Sequence, residues 1–161
     1  MAISGISSNY VSRKLDVSIL HGGNPSSEVA SLVLIGFNPD DKKSKRCAGI
    51  QKLIQRYSIL LLSSPGDQPD FPDFGSGLRI VLQNKNRLDE GQLRHLFAIA
   101  NSKILDEIIE EQQQDPSRQT DEQLASVEFI SGKYELDFLS LRLKLITVAG
   151  DSVEFLTPIS S

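Results

Sequence analysis

Two groups of carboxylates have the residue type that glycoside hydrolysis requires. Asp67, Asp70 and Asp73 recur along one loop, and Glu110 and Glu111 stand at the end of a helical segment. That chemistry needs two carboxyl groups across a cleft, one of them with a raised pKa. All five lie in polar sequence without an evident cause for a raised pKa, and aromatic residues to line a sugar cleft are scarce. We therefore expect no enzymatic activity and no catalytic residues.

Histidine and cysteine form no pattern that indicates catalysis or metal binding. His21 lies in a Gly/Pro-rich stretch and His95 in a helical one, each without a Cys or second His at ligand spacing, whereas metal sites need three or four convergent ligands. Cys47 falls on the predicted apolar face of a helix, unlike a reactive thiol, which is accessible and electropositively placed. Gly75-Ser76-Gly77 lacks the Lys-Ser/Thr that follows a phosphate loop. No metal or cofactor is expected.

Size and composition fit one globular domain. The 161 residues carry a net charge of -4, which argues against a dedicated binder of nucleic acid or of anionic membranes. One cysteine allows no intramolecular disulfide, and no stretch approaches the roughly 20 apolar residues of a membrane span. Arg13 and Lys14 have no apolar region beside them, so we expect assembly in a cytoplasm. The basic run 42–46 is either a solvated helix start or a contact for an acidic partner.

The first 44 residues form an N-terminal extension by composition. Residues 1–12 are rich in Ser and Gly and are predicted to be a mobile or partner-ordered arm. Alternating apolar residues predict strands at 15–20 and 28–37. Residues 21–27 are predicted to be a loop.

Helical spacing of apolar residues predicts two main helices. The first covers about residues 44–62 and includes Cys47 on its apolar face. The second begins at Asp89, which forms a capping box with Gln92, and it ends before Pro116. The stripe of the second helix consists of Leu93, Leu96, Phe97, Ala100, Ile104 and Ile108.

The C-terminal part alternates with the period of strands. A turn is predicted at 131–133, a bulge or a bend between Phe138 and Leu139, and a hairpin turn at 149–152. Helices before a meander predict an α+β fold, with two main helices packed on a small, mostly antiparallel C-terminal sheet. We assign this domain to residues 45–161. The strands are expected near 125–130, 134–145 and 153–157.

The Pro-Asp-Phe-Pro-Asp-Phe-Gly-Ser-Gly-Leu stretch at 69–78 is a loop of specified shape. Gly75 and Gly77 permit positive φ or a close backbone approach. Phe71 and Phe74 are apolar anchors that a structureless linker would not carry. The loop is therefore expected to fold back onto the domain or onto a partner.

These features together resemble a known family. Its pattern is matched by Ile50-x-x-Leu53-Ile54-x-x-Tyr57, then Leu60-Leu61, a Pro-Gly-Asp turn and Pro-Asp-Phe-Gly-Ser-Gly-Leu. From about Lys45 to the C-terminus the chain resembles the tail-lysozyme-like wedge family, which comprises baseplate subunits of contractile phage tails with relatives in type VI secretion baseplates. The resemblance implies a structural virion protein present in about six copies per baseplate.

The resemblance also implies partners and contact residues. Expected partners are other wedge proteins, the tail sheath and tube subunits. Family members have Glu-Pro-Arg after the long helix, which docks the subunit onto larger wedge proteins. Here Asp115, Pro116 and Arg118 stand at the matching place, with a serine inserted before the arginine. The loop is expected to contact neighbouring subunits through Asp73, Phe74, Gly75, Gly77 and Leu78.

Sheath attachment is expected to use strand addition at an open sheet edge. The two candidate edges are the last strand, 153–157, and the strand at 125–130. In the last strand Glu154 and Leu156 would point outward, and Glu154 and Pro158 would guard the edge against aggregation. On that basis Glu154→Pro is expected to leave a folded protein that does not nucleate sheath.

Three other functions remain open at this stage. The first is a subunit of a type VI secretion or other contractile injection machine. Neighbouring capsid and terminase genes would instead indicate a phage. The second is a peptidoglycan hydrolase. The third is a free-standing adaptor that reuses the fold, because a fold does not fix a function.

Overall fold

A computed structural model describes residues 16–17, 20–22, 29–34, 46–47, 49–83, 87–135 and 138–160. The predicted α+β fold is confirmed. The helices are α1 (Ile50–Leu62), α2 (Leu78–Gln83) and α3 (Glu90–Gln114), with a 3₁₀ turn at Thr120–Glu122. The strands are β1 (Asp16–Val17), β2 (Leu20–Gly22), β3 (Val29–Leu34), β4 (Arg46–Cys47), β5 (Leu124–Glu135), β6 (Phe138–Thr147) and β7 (Ser152–Ser160).

The main sheet has five strands in the order β2-β3-β7-β6-β5. Strands β5, β6 and β7 form an antiparallel meander, and β3 joins β7 in parallel, with Val29 opposite Glu154. Strands β1 and β4 form a separate antiparallel pair. Of the N-terminal strands, β2 and β3 therefore belong to the same sheet as the C-terminal meander.

The core lies between one face of this sheet and the helices. Strand β6 alternates strictly, so Leu139, Leu141, Leu143 and Leu145 are all buried. Burial of each such side chain contributes about 1.5–3 kcal/mol. Two ring contacts join the layers: Tyr57 of α1 meets Phe155 edge-on at 6.3 Å, and Phe97 of α3 lies 5.5 Å from Phe129 of β5. The helices are thereby fixed against the meander.

The first helix starts later than its apolar pattern predicted. Gly49 has φ 62° and precedes the helix, which begins at Ile50 rather than near residue 44. Upstream, Arg46 and Cys47 pair with β1 as strand β4. The prediction that Cys47 lies on a helix face was therefore wrong. The physical reason is the positive φ of Gly49, which interrupts helical geometry between the two elements.

The second main helix, α3, agrees with its prediction. The Asp89 side chain accepts a hydrogen bond from the Gln92 backbone at 2.8 Å, and the Gln92 side chain accepts from Asp89 N at 3.1 Å. This is the predicted capping box, and the helix ends at Gln114, just before Pro116. Local sequence signals thus set both ends of α3.

Two shorter predictions are corrected. The segment 131–133 is not a turn but lies inside β5, where Gly132 is opposite Leu141. A Cβ at Gly132 would come within 3.0 Å of the Leu93 side chain, so the glycine permits close packing of α3. The pairing has no register shift, and so no bulge, between Phe138 and Leu139; the phase change instead follows the chain reversal between β5 and β6, where Glu135 pairs with Phe138. Residues 78–83 form the short helix α2.

The N-terminal predictions are met in part. Strand β3 falls inside the predicted strand at 28–37. The predicted strand at 15–20 is divided between β1 and β2, and His21 and Gly22, expected in a loop, belong to β2. The predicted arm at 1–12 lies outside the described residues.

Candidate partner-binding site

The loop after α1 has the fixed shape that its glycines predicted. Gly75 has φ 91° and Gly77 has φ 72°. A Cβ at Gly75 would lie 2.5 Å from the backbone oxygen of Ser63, which cannot move away without shifting the end of α1. Gly75 is therefore required both for its backbone conformation and for its close approach.

Backbone groups of this loop close the C-terminal end of α1. Ser76 N donates to Leu60 O at 2.9 Å, Ser76 Oγ donates to Leu61 O at 2.9 Å, and Gly77 N donates to Ser63 O at 3.3 Å. These donors satisfy carbonyl groups that a helix end would otherwise leave unpaired. Leu78, expected to face a partner, is only 4 % exposed and belongs to the core. The part of the loop from residue 75 to residue 78 is therefore structural.

The preceding part of the loop forms one wall of a groove. Residues 70–74 face α3, whose Lys103, Asp106, Glu107 and Glu110 form the other wall, and the groove has a volume of about 450 Å³. Lys103 Nζ donates to Asp73 O at 3.0 Å and joins the two walls. We call this the acidic groove, because five carboxylates and one amine line it.

Arg56 of α1 anchors one end of the acidic groove. Its guanidinium lies 5.2 Å from the ring centroid of Phe74 and contacts the carboxylates of Glu107, at 3.4 Å, and Glu111. All three partners are at least partly buried. Nothing in the apolar pattern of the first helix indicated these partners of Arg56.

The acidic groove brings together some of the carboxylates considered for hydrolysis. Asp70, Asp73 and Glu110 line it, whereas Asp67 accepts a hydrogen bond from Ser64 N at 2.8 Å and Glu111 pairs with Arg56. Burial raises the pKa of Glu107, and Arg56 opposes that rise. Since Glu107 was not among the candidates, the sequence missed the carboxyl group with a perturbed pKa.

The segment after α3 carries the predicted docking residues. Arg118 N donates to Asp115 O at 3.1 Å, and Ser117 Oγ donates to Asp115 Oδ1 at 2.5 Å. Pro116 is exposed. Arg118 is half-buried, and its guanidinium forms no ion pair within the described part of the chain. The turn therefore holds the backbone of Arg118 while its charge stays available.

Glu122 has a structural role that the sequence did not reveal. It is buried, and its Oε1 accepts a hydrogen bond from Gly49 N at 3.0 Å while Oε2 lies 3.5 Å from Lys52 Nζ. The carboxylate thereby closes the N-terminal end of α1, where negative charge is favourable. Because Gly49 and Glu122 lie 73 positions apart, their contact leaves no local pattern in the sequence.

The last strand is not the open edge that was expected. Among the described residues β7 is paired on both sides, with β6 and with β3, and the β3 pairing covers Glu154, Phe155 and Leu156. The Glu154 side chain accepts hydrogen bonds from Arg142 at 3.0 and 2.6 Å. A proline at Glu154 would disturb a strand with two neighbours, so the basis for expecting Glu154→Pro to leave the fold intact was wrong.

Strand β5 lies at the end of the main sheet, next to β6, and has two unlike halves. In its first half Leu124 N donates to Gln112 Oε1 at 2.6 Å, and Val127 O accepts from Asn101 Nδ2 at 3.4 Å. Both partners are side chains of α3. After a register shift between Phe129 and Ser131, the second half continues to Glu135. No strand other than β6 pairs with β5 in the residues that the structure describes.

Comparison with known proteins adds no assignment. No family model, no curated protein and no solved structure matches this chain. Within the described ranges there is no group of three His, Cys, Asp or Glu side chains that could hold a metal ion. No described helix is both long and apolar enough to cross a bilayer.

Proposed function

We propose that this protein is a structural, non-enzymatic baseplate wedge subunit of a contractile phage tail, which helps to initiate sheath assembly by strand addition. The observation that carries the strand-addition step is the second half of β5, which has β6 as its one paired neighbour in the described chain. The class of protein is supported by the resemblance of residues 45–161 to the wedge family. On this proposal the protein acts in the virion, after assembly in the host cytoplasm.

The second half of β5 suits controlled strand addition. Backbone N–H and C=O groups on an open edge bind an extended segment whatever its side chains. Unprotected edges cause aggregation, and proteins limit this with charges and bulges. Here the register shift precedes Ser131, and the exposed Lys133 lies on the open half. Both features would admit a partner strand only where other contacts hold it in place.

Docking to the larger wedge proteins would use the turn after α3. Arg118 can contact a partner carboxylate through two parallel hydrogen bonds, which a guanidinium makes in a fixed planar geometry. Asp115 and Pro116 lie beside it at the helix end. In this arrangement one surface would meet the wedge and another would meet the sheath.

A site-specific cross-linker tests the sheath contact directly. A photoreactive amino acid replaces Lys133 in the open half of β5 or, as a matched control, Ala125 in the half covered by α3; both positions are exposed. In purified tail particles we expect cross-links to sheath from position 133 and far fewer from position 125. Equal yields from both positions, or absence of the protein from the particles, would reject the proposal.

Two alternatives are separated by simple observations. Neighbouring secretion genes instead of capsid and terminase genes would indicate an injection machine. The acidic groove, with the raised pKa of Glu107, is the one feature that favours a hydrolase. However, Glu107 contacts Arg56, and the facing Asp70 and Asp73 are exposed. We expect no soluble product from peptidoglycan; turnover that Asp70→Asn or Asp73→Asn abolishes would establish the hydrolase instead.

A further inference from the structure

We propose that the acidic groove binds an arginine side chain on an extended segment of a partner protein. The groove is formed by the loop at 70–74 and by α3, and neither the β5 strand nor Arg118 is among its lining residues. It was not predicted as a unit, because only Asp73 and Phe74 were expected to contact a partner. The inference does not rest on the proposed function, since arginine binding can be measured on the isolated protein.

The apolar wall of the groove is exposed in a way that indicates a contact surface. Phe71 is 63 % exposed, more than any other large apolar side chain in the described residues. Asp70 and Asp73 flank it in the sequence, and both are exposed and line the same groove. An exposed aromatic ring framed by acids offers a flat face and nearby negative charge, which are the two features that recognise a guanidinium.

The charge of the groove favours a cation over a neutral ligand. Five carboxylates line it; Arg56 contacts Glu107, and the amine of Lys103 is engaged with Asp73 O. Asp70 and Asp106 form no ion pair in the part of the chain that the structure describes. These two carboxylates would attract a positively charged side chain, whereas a neutral sugar would leave them without a counter-charge.

The same molecule already contains one example of this recognition. The Arg56 guanidinium lies over the Phe74 ring at 5.2 Å and contacts Glu107 at 3.4 Å. Phe71, Asp70 and Asp106 line the acidic groove together and offer the same chemical groups, an aromatic ring and carboxylates. Because lysine lacks a planar, delocalised head group, we expect the groove to prefer arginine.

The probe is a short labelled peptide with one arginine between glycines, compared with the same peptide carrying lysine or neutral citrulline. Binding is followed by the amide spectra of isotope-labelled protein. We expect shifts at residues 70–74 and 103–110, with the arginine peptide bound roughly threefold more tightly than the lysine peptide and no citrulline binding. Bound arginine should also lower the pKa of Glu107, measured by its side-chain carbon shift.

Matched variants separate stacking from charge. Phe71→Ala should weaken arginine binding roughly fivefold and remove the preference over lysine, while Val148→Ala, an exposed apolar residue of the β6–β7 turn, should have no effect. The double variant Asp70→Asn, Asp106→Asn should weaken both cationic peptides about tenfold, and Asp151→Asn should not. All these positions are exposed, so unchanged melting is expected throughout.

Two results would overturn the inference. The first is equal binding of arginine and lysine peptides that Phe71→Ala does not change, which would indicate only diffuse attraction. The second is binding of a peptidoglycan oligosaccharide at residues 70–74 with no arginine binding. Absence of the protein from tail particles would reject the proposed function and leave this inference intact.

Discussion

The loop that follows α1 and the turn that follows α3 close opposite ends of α1, the loop with backbone groups and the turn with a side chain. The loop uses backbone: the positive φ of Gly75 and Gly77 directs N–H groups at the carbonyl groups of α1. The turn uses a side chain: Glu122 Oε1 accepts a hydrogen bond from Gly49 N at 3.0 Å, at the start of α1. Capping by backbone groups needs particular residue types at particular positions. Capping by a side chain can use any residue whose side chain reaches the helix end and can form the hydrogen bond.

This difference decides which predicted contact residues remain available. In the loop, Gly75 is buried and Leu78 is in the core, so residues with a strong sequence signal maintain the fold. In the turn, Pro116 is exposed and the Arg118 guanidinium forms no ion pair among the described residues. Substitutions in the two segments should therefore separate stability from binding.

The largest effect is expected in the loop. Gly75→Ala should lower the free energy of unfolding by about 3 kcal/mol or more, because positive φ and the overlap with Ser63 O both act against a Cβ. The matched control is Gly66→Ala in the same loop, with φ 89° but no atom within 4 Å of the new Cβ. The Gly66→Ala variant should lose about 1 kcal/mol of the free energy of unfolding. Urea denaturation measures both.

Gly77→Ala sharpens this comparison. Its Cβ would lie 3.3 Å from Pro65 Cδ, a contact that a small shift relieves. The loss should fall between those of the other two variants. Similar losses for all three glycines would mean that φ alone matters, and that the close approach of Gly75 to α1 contributes nothing.

The sequence predicted those features that local chemistry determines. The capping box of α3, the glycine loop and the alternation of β6 depend on residues close together in the chain, and all three are observed. The start of α1 was misplaced because its apolar stripe continues past Gly49 to Cys47. The acidic groove was harder to predict from the sequence. Asp73 and Phe74 were predicted as contact residues, but Arg56 and Glu107 meet them only through tertiary packing.

The sheet edges show the same limit. The alternation in β7 correctly places Phe155 and Thr157 in the core, with 0 % and 2 % exposure. Alternation states which face is buried but not whether another strand lies alongside. The parallel pairing of β3 with β7 joins residues more than a hundred positions apart. A strand's own sequence therefore could not exclude β7 as an open edge.

A smaller loss of stability is expected in the turn after α3. Glu122→Ala should lower the free energy of unfolding by about 2 kcal/mol, because Gly49 N would lose its acceptor in a buried place. Glu122→Gln keeps an acceptor and should lose less. Gln119→Ala is the control, since that exposed residue makes no capping bond with its side chain. A Glu122→Ala variant as stable as this control would show that Gly49 finds another partner.

The smallest effect on stability, and a large one on binding, is expected at Arg118. Its backbone is held by Asp115 and Gln123, and those bonds persist in Arg118→Ala, so the free energy of unfolding should change by less than about 0.5 kcal/mol. If the guanidinium pairs with a partner carboxylate in two parallel hydrogen bonds, the variant should fail to enter tail particles, and Arg118→Lys should restore little because an ammonium cannot reproduce that geometry. Arg79→Ala, at an exposed arginine on α2, is the control and should assemble normally.

Full rescue by lysine would reduce the contact of Arg118 to simple charge attraction. Normal assembly of Arg118→Ala would remove the turn after α3 from the docking surface, and the contrast between a structural loop and a binding turn would no longer hold.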